Sequence, residues 1–408
     1  MKYCLIGEKL GHSYSKIIHE KLGLNYSLKE LNSVELDKFL KSPEYDGFNV
    51  TIPYKKDVLP YLSYMSDTAK LAGAVNTVVN KNGKLYGYNT DVDGMNYMIL
   101  DKGVSLTNKS VMILGSGGTS NTAVSLCKRE KASVYYVVSR NGDINYQNCY
   151  NYQDVQIIIN TTPVGMFPNV ENSPIDLSKF KNLIAVFDCI YNPKTTELLN
   201  QAKNLGLIYN GGLPMLVKQA ILAYNIWKGV EDNDSITKKI ISEIEGQTKN
   251  IVLIGMPSAG KTTIGKLVSS KLDKEFYDSD DEITKKYGKT PAQIINEEGE
   301  ESFRDKESVV IKELSLKRGV VISLGGGGVL RSENVKNLKR NGVIIYVKRD
   351  LSLLDVSNRP LSQKQGVELL YQKRKGIYES VSDYAVENNG LIDDCYKKVI
   401  KNYENSCN

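Results

Sequence analysis

The stretch NIVLIGMPSAGKTTIGKLVSSKL, residues 250–272, decides the fold of the part of the chain that contains it. The apolar run NIVLI is typical of a buried strand, GMPSAGKT fits the pattern GxxxxGK[ST] from Gly255 to Thr262, and TTIGKLVSSKL has helical periodicity. In such a loop, backbone N–H groups hold phosphate oxygens, Lys261 neutralises the outer phosphates and Thr262 can ligate Mg²⁺. The stretch therefore predicts a P-loop nucleotide site, with an ordinary glycine-rich turn as the alternative.

The composition restricts the class of protein. The 408 residues suffice for two or three domains, and 41% hydrophobic with 25% charged residues is typical of a soluble globular protein. The net charge of +6 is spread among nearly as many acidic residues, which favours small anionic substrates over nucleic acid. Six cysteines without a CxxC motif and only two histidines indicate reduced thiols and no histidine-rich metal site. We expect a cytoplasmic protein with no membrane partner, and the sequence leaves a homo-oligomer open.

Short apolar runs alternate with helical patterns, which predicts an α/β fold with mostly parallel sheets. The runs that indicate strands are KYCLIG, SVMILG, SVYYVVS, VQIIIN, LIAVFD, NIVLIG, VVISLG and GVIIYVK. A charged helical stretch ends at Gly246, just before the strand of the P-loop, so we predict one domain over residues 1–245 and another over residues 250–408. The first divides into a lobe of about residues 1–101 plus 211–245 and a lobe of about residues 102–210.

Two carboxylates follow the P-loop. Asp278 and Asp280 in FYDSDDEI come at the end of a predicted strand. Because residues i and i+2 of a strand face the same way, we expect both side chains to point into one site. One could hold a water on Mg²⁺ while the other accepts a hydroxyl proton. The alternative is a helix N-cap in a solvated acidic turn.

Three arginines and a glycine run further along suggest an anionic acceptor. The glycines Gly325–Gly328 lie between Arg304 and the later pair Arg359 and Arg374. A guanidinium matches a carboxylate in shape and can bind it through two hydrogen bonds. Each arginine taken alone fits a surface salt bridge equally well.

In this order, the motifs of residues 250 to about 389 resemble the shikimate kinase family, P-loop kinases that phosphorylate the 3-hydroxyl of shikimate with ATP. The resemblance implies that Asp280 contacts the reacting hydroxyl and that Thr262 and Asp278 hold Mg²⁺. The implied ATP site consists of Gly255, Ser258, Ala259, Gly260, Lys261, Thr262, Thr263 and Arg359. The implied shikimate site consists of Asp280, Arg304, Gly325, Gly326, Gly327 and Arg374. The segment before Arg359 is shorter than in the family and lacks the arginine that lies by the adenine there.

A second glycine-rich loop lies in the first half of the chain. MILGSGGTSNTA places Gly115, Gly117 and Gly118 between a strand and a helix, with Ser120 where the last glycine of GxGxxG would stand. This imperfect motif predicts a Rossmann-like dinucleotide site. The next strand ends at Arg140, where NAD enzymes carry an acidic residue, so the arginine favours the 2′-phosphate of NADP. A surface arginine after an ordinary turn is the alternative.

Polar side chains also cluster in four motifs near the N-terminus, namely Ser13, Ser15, Thr51, Lys55, Asn76 and Asp91. Turn chemistry explains the serine and asparagine residues equally well. Lys55 and Asp91 in one cleft would form a proton-transfer pair, an ammonium beside a carboxylate.

Together with INTTPVGM (residues 159–166), DCIYNPKTT (residues 188–196) and GGLPMLVKQA (residues 211–220), these motifs resemble the shikimate dehydrogenase family, which reduces 3-dehydroshikimate with NADPH. The resemblance implies that Lys55 and Asp91 are the catalytic pair. The implied substrate site consists of Ser13, Ser15, Thr51, Lys55, Asn76, Asp91, Tyr191 and Gln219. The implied NADP site consists of Gly115, Ser116, Gly117, Gly118, Arg140, Thr161 and Met166. Asn141 replaces the threonine usual after the arginine, and the stretch that follows is short for a crossover helix.

The sequence thus predicts a bifunctional enzyme of aromatic amino-acid biosynthesis, with a two-lobed dehydrogenase followed by a P-loop kinase domain. Three alternatives stay open. One half alone could be catalytic, with the other a binding or assembly module. The chain could be a regulator that senses pathway metabolites, although Lys55 and Asp91 are both retained. Both enzymes could act on a related polyol such as quinate.

Overall fold

The structure is a computed structural model of the chain, and it describes residues 1–10, 14–42, 44–354 and 366–407. The chain divides into two compact units, Met1–Ile241 and Ser242–Asn408. The division falls inside the helix α8 (Asp234–Thr248). Within the described residues, no helix combines the length and the apolar character that crossing a membrane requires.

The first sheet of the first unit has six strands in the order β2-β1-β3-β5-β6-β4. These strands are β1 (Tyr3–Gly7), β2 (Tyr26–Glu30), β3 (Gly47–Val50), β4 (Leu62–Met65), β5 (Thr77–Lys81) and β6 (Lys84–Tyr88). Its helices are α1 (Tyr14–Lys21), α2 (Ser33–Lys41), α3 (Asp67–Ala72) and α4 (Asp91–Leu100). Strand β5 runs antiparallel to both of its neighbours, and the other pairs are parallel.

The second sheet of this unit has five parallel strands in the order β11-β10-β9-β7-β8. They are β7 (Ser110–Leu114), β8 (Val134–Val138), β9 (Ile157–Asn160), β10 (Ala185–Asp188) and β11 (Ile208–Asn210), with the helices α5 (Gly118–Arg129) and α6 (Glu197–Asn204). The connection from β8 to β9 contains a short 3-10 turn, Cys149–Asn151, in place of a crossover helix. After β11 the chain returns as α7 (Leu213–Lys228), which packs against α4 and α1.

The second unit contains one parallel sheet in the order β13-β14-β12-β15-β16. Its strands are β12 (Asn250–Ile254), β13 (Phe276–Asp278), β14 (Val321–Ser323), β15 (Gly342–Lys348) and β16 (Tyr384–Glu387). Its further helices are α9 (Lys261–Leu272), α10 (Ser279–Tyr287), α11 (Pro291–Glu298), α12 (Glu300–Ser315), α13 (Ser332–Lys339), α14 (Val367–Val381) and α15 (Ile392–Cys407). The P-loop follows β12. This strand is the central one, because it is third in the order of five.

The α/β fold and its largely parallel sheets are confirmed. Each of the eight apolar runs that indicated strands contains one, because strands covered on both faces are apolar along their whole length. In β7 and β12 every residue is buried. One geometric expectation is wrong: Asp278 ends β13, but Asp280 lies in the first turn of α10 and not on a strand. The Asp278 side chain accepts a hydrogen bond from the Asp280 N–H and caps the helix, which ends the strand there.

Candidate active sites

The first site is built around a close ion pair. Lys55 lies in the turn after β3, and Asp91 is the first residue of α4. The Lys55 Nζ lies 2.6 Å from Asp91 Oδ2, with the two side chains 28% and 13% exposed. A carboxylate in the first turn of a helix is stabilised by the helix dipole. Because both side chains are partly exposed, the pair can exchange a proton with a bound molecule.

Asn76 fixes the orientation of this carboxylate. Its Nδ2 donates to Asp91 Oδ1 at 2.9 Å, and its Oδ1 accepts from the Thr90 N–H at 2.8 Å. The Asn76 Nδ2 also lies 3.5 Å from Gln219 Oε1, so α7 reaches the same group. Asn76 is itself buried. Because its polar atoms are held on both sides, one oxygen of Asp91 stays bound to the framework and the other faces Lys55.

A cavity of about 580 Å³ opens beside the pair. Every described residue predicted for the substrate site lines it, namely Ser15, Thr51, Lys55, Asn76, Asp91, Tyr191 and Gln219. Ser13 lies outside the described residues. The sequence interpretation missed the lining residues Lys9, Asn49 and Cys189. The Asn49 side chain donates to the Asn76 carbonyl and to Thr77 Oγ1, both at 3.1 Å. These bonds fix the backbone of Asn76.

The glycine-rich loop after β7 borders this cavity, because Thr119 in the first turn of α5 also lines it. Gly115 has φ +108°, and a Cβ there would lie 2.8 Å from Thr161 Oγ1, so only glycine fits. At Gly117 and Gly118 nothing lies within 4 Å of an added Cβ, which leaves room for a ligand against the backbone. These features, with the start of α5, fit a dinucleotide diphosphate.

The remaining residues predicted for the cofactor are less closely gathered. Thr161 reaches the loop, since its hydroxyl donates to the Leu114 carbonyl at 2.6 Å. Ser116 lies within the loop. Arg140 is exposed after β8, and Met166 is exposed in the segment after β9. An exposed guanidinium at the end of β8 is compatible with a 2′-phosphate.

Asp188 at the end of β10 forms hydrogen bonds to the segment that follows β9 and to the segment that follows β10. Its carboxylate accepts hydrogen bonds from Asn160 Nδ2 at 3.0 Å, the Ile190 N–H at 3.0 Å and Thr196 Oγ1 at 2.6 Å. Burial raises the pKa of this carboxyl to about 6, against the lowering effect of the three donors. The residue precedes Cys189, which lines the cavity. Asp188 therefore joins the end of β9 to the segment that carries Tyr191.

The second site begins at the P-loop. Gly255, Ser258 and Gly260 all have positive φ, and a Cβ at Gly255 would lie 2.4 Å from the Val347 carbonyl oxygen. Lys261 begins α9, and its Nζ donates to the carbonyls of Gly255 at 3.0 Å and Met256 at 2.8 Å. The ammonium is therefore held against the first residues of the loop, where phosphate oxygens could contact it. Within the loop Ala259 is buried, and Thr263 is exposed in the first turn of α9.

Thr262 and Asp278, the residues predicted to hold Mg²⁺, contact each other. The Thr262 hydroxyl donates to Asp278 Oδ2 at 2.8 Å. Across the described residues, no group of three or more histidine, cysteine or acidic side chains could hold a metal ion. One hydroxyl and one carboxylate nevertheless fit Mg²⁺, because that ion keeps several waters and takes its other ligands from phosphates.

The residues predicted to bind the phosphoryl acceptor lie close together, namely Asp280, Arg304, Arg374 and the glycines Gly325–Gly327. A Cβ at Gly325 would lie 2.6 Å from Asp280 Oδ1, one at Gly326 would lie 3.3 Å from Arg374 Nη1, and one at Gly327 would meet the Arg304 guanidinium. Both arginines are buried. The glycine run after β14 thus lets a carboxylate and two guanidinium groups converge on one pocket. Such a pocket suits a small anion that also carries a hydroxyl.

Glu307 is the acceptor-side residue that the sequence interpretation missed. It lies three residues after Arg304 in α12, and its Oε2 accepts from Arg304 Nη1 at 2.6 Å. Its Oε1 is buried without a hydrogen-bond partner among the described residues and would lie 3.3 Å from a Cβ at Gly325. Burial raises the pKa of this carboxyl, opposed by the charge of Arg304. The i, i+3 spacing of Glu307 from Arg304 in a helix was the signal that could have indicated this pair.

Arg359, predicted for the ATP site, lies outside the described residues.

A Lys–Asp pair in a cavity beside a dinucleotide-type loop, and a P-loop with an arginine-lined acceptor pocket, define two nucleotide-dependent enzyme sites on one chain. Family models agree with this class. The model for the shikimate dehydrogenase substrate binding domain matches residues 5–78, and the model for shikimate kinase matches residues 257–404. The chain belongs to the shikimate dehydrogenase family and carries a shikimate kinase domain in its second unit.

Individual relatives agree over the first part of the chain. An NADP(+) shikimate dehydrogenase of Clostridium beijerinckii is 36% identical over 267 residues, which cover 60% of this chain and 99% of that protein. A chorismate mutase/shikimate 5-dehydrogenase fusion protein from Clostridium acetobutylicum has 36% identity and a TM-score of 0.56, over 59% of this chain and 96% of that chain. A shikimate 5-dehydrogenase from Thermus thermophilus, solved with NADP(H) and shikimate, has 28% identity and a TM-score of 0.53, over 59% of this chain and 97% of that chain.

Proposed function

We propose that this chain is a bifunctional enzyme that reduces 3-dehydroshikimate to shikimate with NADPH and phosphorylates shikimate to shikimate 3-phosphate with ATP. Residues 1–245 carry the reduction, and residues 250–408 carry the phosphorylation. The observation that supports both halves is that each unit brings the predicted reactive side chains together. Lys55 and Asp91 line the cavity of the first unit, and Asp280 converges with two buried arginines in the second.

Lys55 is the proton donor of the reduction. Bound NADPH supplies the hydride, and the carbonyl oxygen of the substrate then needs one proton to become a hydroxyl. The Lys55 ammonium faces the cavity, and Asp91 holds it in place at 2.6 Å. Asn76 keeps the other carboxylate oxygen occupied, so Asp91 cannot turn away from the lysine. The polar side chains of Ser15, Thr51 and Tyr191 orient the hydroxyl and carboxylate groups of the substrate.

Asp280 is the group that accepts the hydroxyl proton in the kinase reaction. ATP supplies the phosphoryl group when it is bound at the P-loop. Arg304 and Arg374 hold the carboxylate of shikimate, which presents its hydroxyl to Asp280. Lys261 balances the charge of the outer phosphates, and Thr262 with Asp278 holds Mg²⁺.

The chain also contains six free cysteines, five of them buried. Reduced thiols of this kind are typical of proteins in a reducing compartment. We therefore place the enzyme in the cytoplasm as part of the proposal.

Paired substitutions test the two-site proposal. Lys55→Ala removes the proton donor, and we expect NADPH oxidation with 3-dehydroshikimate to fall by roughly 10²-fold or more while phosphorylation of shikimate is unchanged. Asp280→Asn is expected to do the reverse. The controls are Lys56→Ala and Asp281→Asn, exposed neighbours with the same change of charge, which should leave both rates unchanged. The quinate-type substrates, 3-dehydroquinate for the reduction and quinate for the phosphorylation, are assayed in parallel with each variant.

Three outcomes would contradict the proposal. If one substitution abolished both activities, the sites would not be independent. If the unmodified chain showed only one activity, the other half would be a binding module. If the quinate-type substrates were turned over faster than the shikimate-type substrates, the assigned substrates would be wrong.

A further inference from the structure

Arg349 lies beside the P-loop, at the end of the strand next to β12. It follows the last residue of β15, and its Nη1 would lie 3.6 Å from a Cβ at Gly260. Asn388, which follows β16, holds the same part of the loop, since its Nδ2 donates to the Ala259 carbonyl at 2.9 Å. The guanidinium is therefore positioned against the backbone that precedes α9.

Within the part of the chain that the structure describes, this guanidinium has no visible partner. The Nε of Arg349 is shielded from solvent and has no hydrogen-bond partner there, and no ion pair among the described residues includes this side chain. The preceding residue differs, because Lys348 pairs with Glu379 at 3.8 Å. Buried donors in folded proteins almost always have an acceptor or a ligand. A half-buried cation next to a phosphate-binding loop therefore points to the nucleotide itself.

The strand order shows which end of the nucleotide passes Arg349. The acceptor pocket lies on the β14 side of the P-loop, where a Cβ at Gly326 would lie 2.8 Å from Pro257 Cδ. Arg349 lies on the β15 side, near Gly260. The transferred phosphoryl group must face the acceptor, so the α-phosphate, ribose and base of ATP extend toward the opposite side. Arg349 consequently faces the nucleoside end.

We infer that the Arg349 guanidinium binds the nucleoside end of ATP in the kinase domain and stacks on the purine base. The inference rests on the proposed kinase function. Arginine suits this contact because its planar, delocalised cation packs against aromatic faces, whereas the lysine ammonium has no such face. Arg349 therefore acts in nucleotide binding and leaves the phosphates to the P-loop.

Calorimetric titration of the full-length chain tests the inference. ADP with Mg²⁺ and inorganic tripolyphosphate are titrated separately, with saturating NADP⁺ throughout so that the first unit takes up no ADP. The variants are Arg349→Gln, Arg349→Lys and the control Lys348→Gln, which makes the same charge change one residue away. We expect the Kd for ADP to rise roughly 3- to 30-fold in both Arg349 variants and to stay unchanged in the control. Tripolyphosphate should bind all four proteins equally, which also shows that the loop is folded.

The outcomes that overturn the inference are separate from those that overturn the proposed function. Equal ADP affinity in the unmodified chain and in Arg349→Gln overturns the role of Arg349 alone. Equal losses for ADP and tripolyphosphate show that the arginine acts on the phosphates and also overturn it. Restoration of full ADP affinity by Arg349→Lys excludes stacking. If the unmodified chain binds no ADP, the kinase proposal itself fails.

Discussion

At the scale of single residues, Gly325 shows how closely the acceptor pocket is fitted. A Cβ at this position would lie 2.6 Å from Asp280 Oδ1 and 3.3 Å from Glu307 Oε1. Gly325→Ala must therefore displace the carboxylate that accepts the hydroxyl proton. We expect kcat for shikimate phosphorylation to fall by about 10²-fold, the effect of a misplacement of about 1 Å in a catalytic group, with ADP affinity unchanged.

The matched control is Gly376→Ala in α14. Nothing lies within 4 Å of a Cβ there, and alanine favours a helix by about 0.5–1 kcal/mol over glycine. This variant should keep the full rate and unfold at the same or a higher temperature. A Gly325→Ala enzyme as fast as the unmodified chain would show that Asp280 does not work in contact with the glycine run.

The residue scale also shows how far sequence alone could reach. The glycine positions of both loops, and Lys261 in the P-loop, follow from local spacing, because phosphate binding needs consecutive backbone N–H groups. Glu307 and Arg349 belong to neither loop, so this spacing could not identify them as site residues. Glu307 depends on the face of α12, and Arg349 depends on which strand lies next to β12.

At the scale of elements, Asp188 makes the junction of β10 and the following loop sensitive to pH. Its pKa is raised by burial from 3.8 to about 6, so the folded protein binds this proton more tightly than the unfolded chain does. The resulting stabilisation is fully present below pH 3.8 and is lost as the pH rises through about 6. Relative to Asp188→Asn, we expect the unmodified chain to lose about 1 to 1.5 kcal/mol of unfolding free energy between about pH 5 and pH 7.5.

Tryptophan fluorescence in urea measures this difference in the first unit. The chain has a single tryptophan, Trp227, which is buried in α7. The difference between the two proteins cancels the titration of groups that they share. A difference that did not change with pH would show that Asp188 titrates at its ordinary value.

The strands differ in how visible they are to sequence analysis. Strands β7, β9, β10, β12 and β15 are buried on both faces and appear as continuous apolar runs. The edge strands β4 and β16 are short and partly exposed, so their sequences carry little signal. At Asp278, the preference of aspartate for a helix N-cap prevailed over strand extension, which explains why the expected i, i+2 geometry was wrong.

At the scale of the whole molecule, two compact units each contain a nucleotide loop and a pocket of reactive side chains. The product of the first proposed reaction is the substrate of the second. Shikimate released by the first site therefore needs no chemical change before the second site can use it. The account consequently predicts that one purified chain performs both steps in order.

One incubation tests this claim most directly. The purified chain is mixed with 3-dehydroshikimate, NADPH, ATP and Mg²⁺, and the products are identified by mass spectrometry over time. The account predicts that shikimate appears first and that shikimate 3-phosphate then accumulates, with NADPH and ATP consumed in equal amounts once all the shikimate is phosphorylated. Accumulation of shikimate without its phosphate, or of neither product, would contradict it.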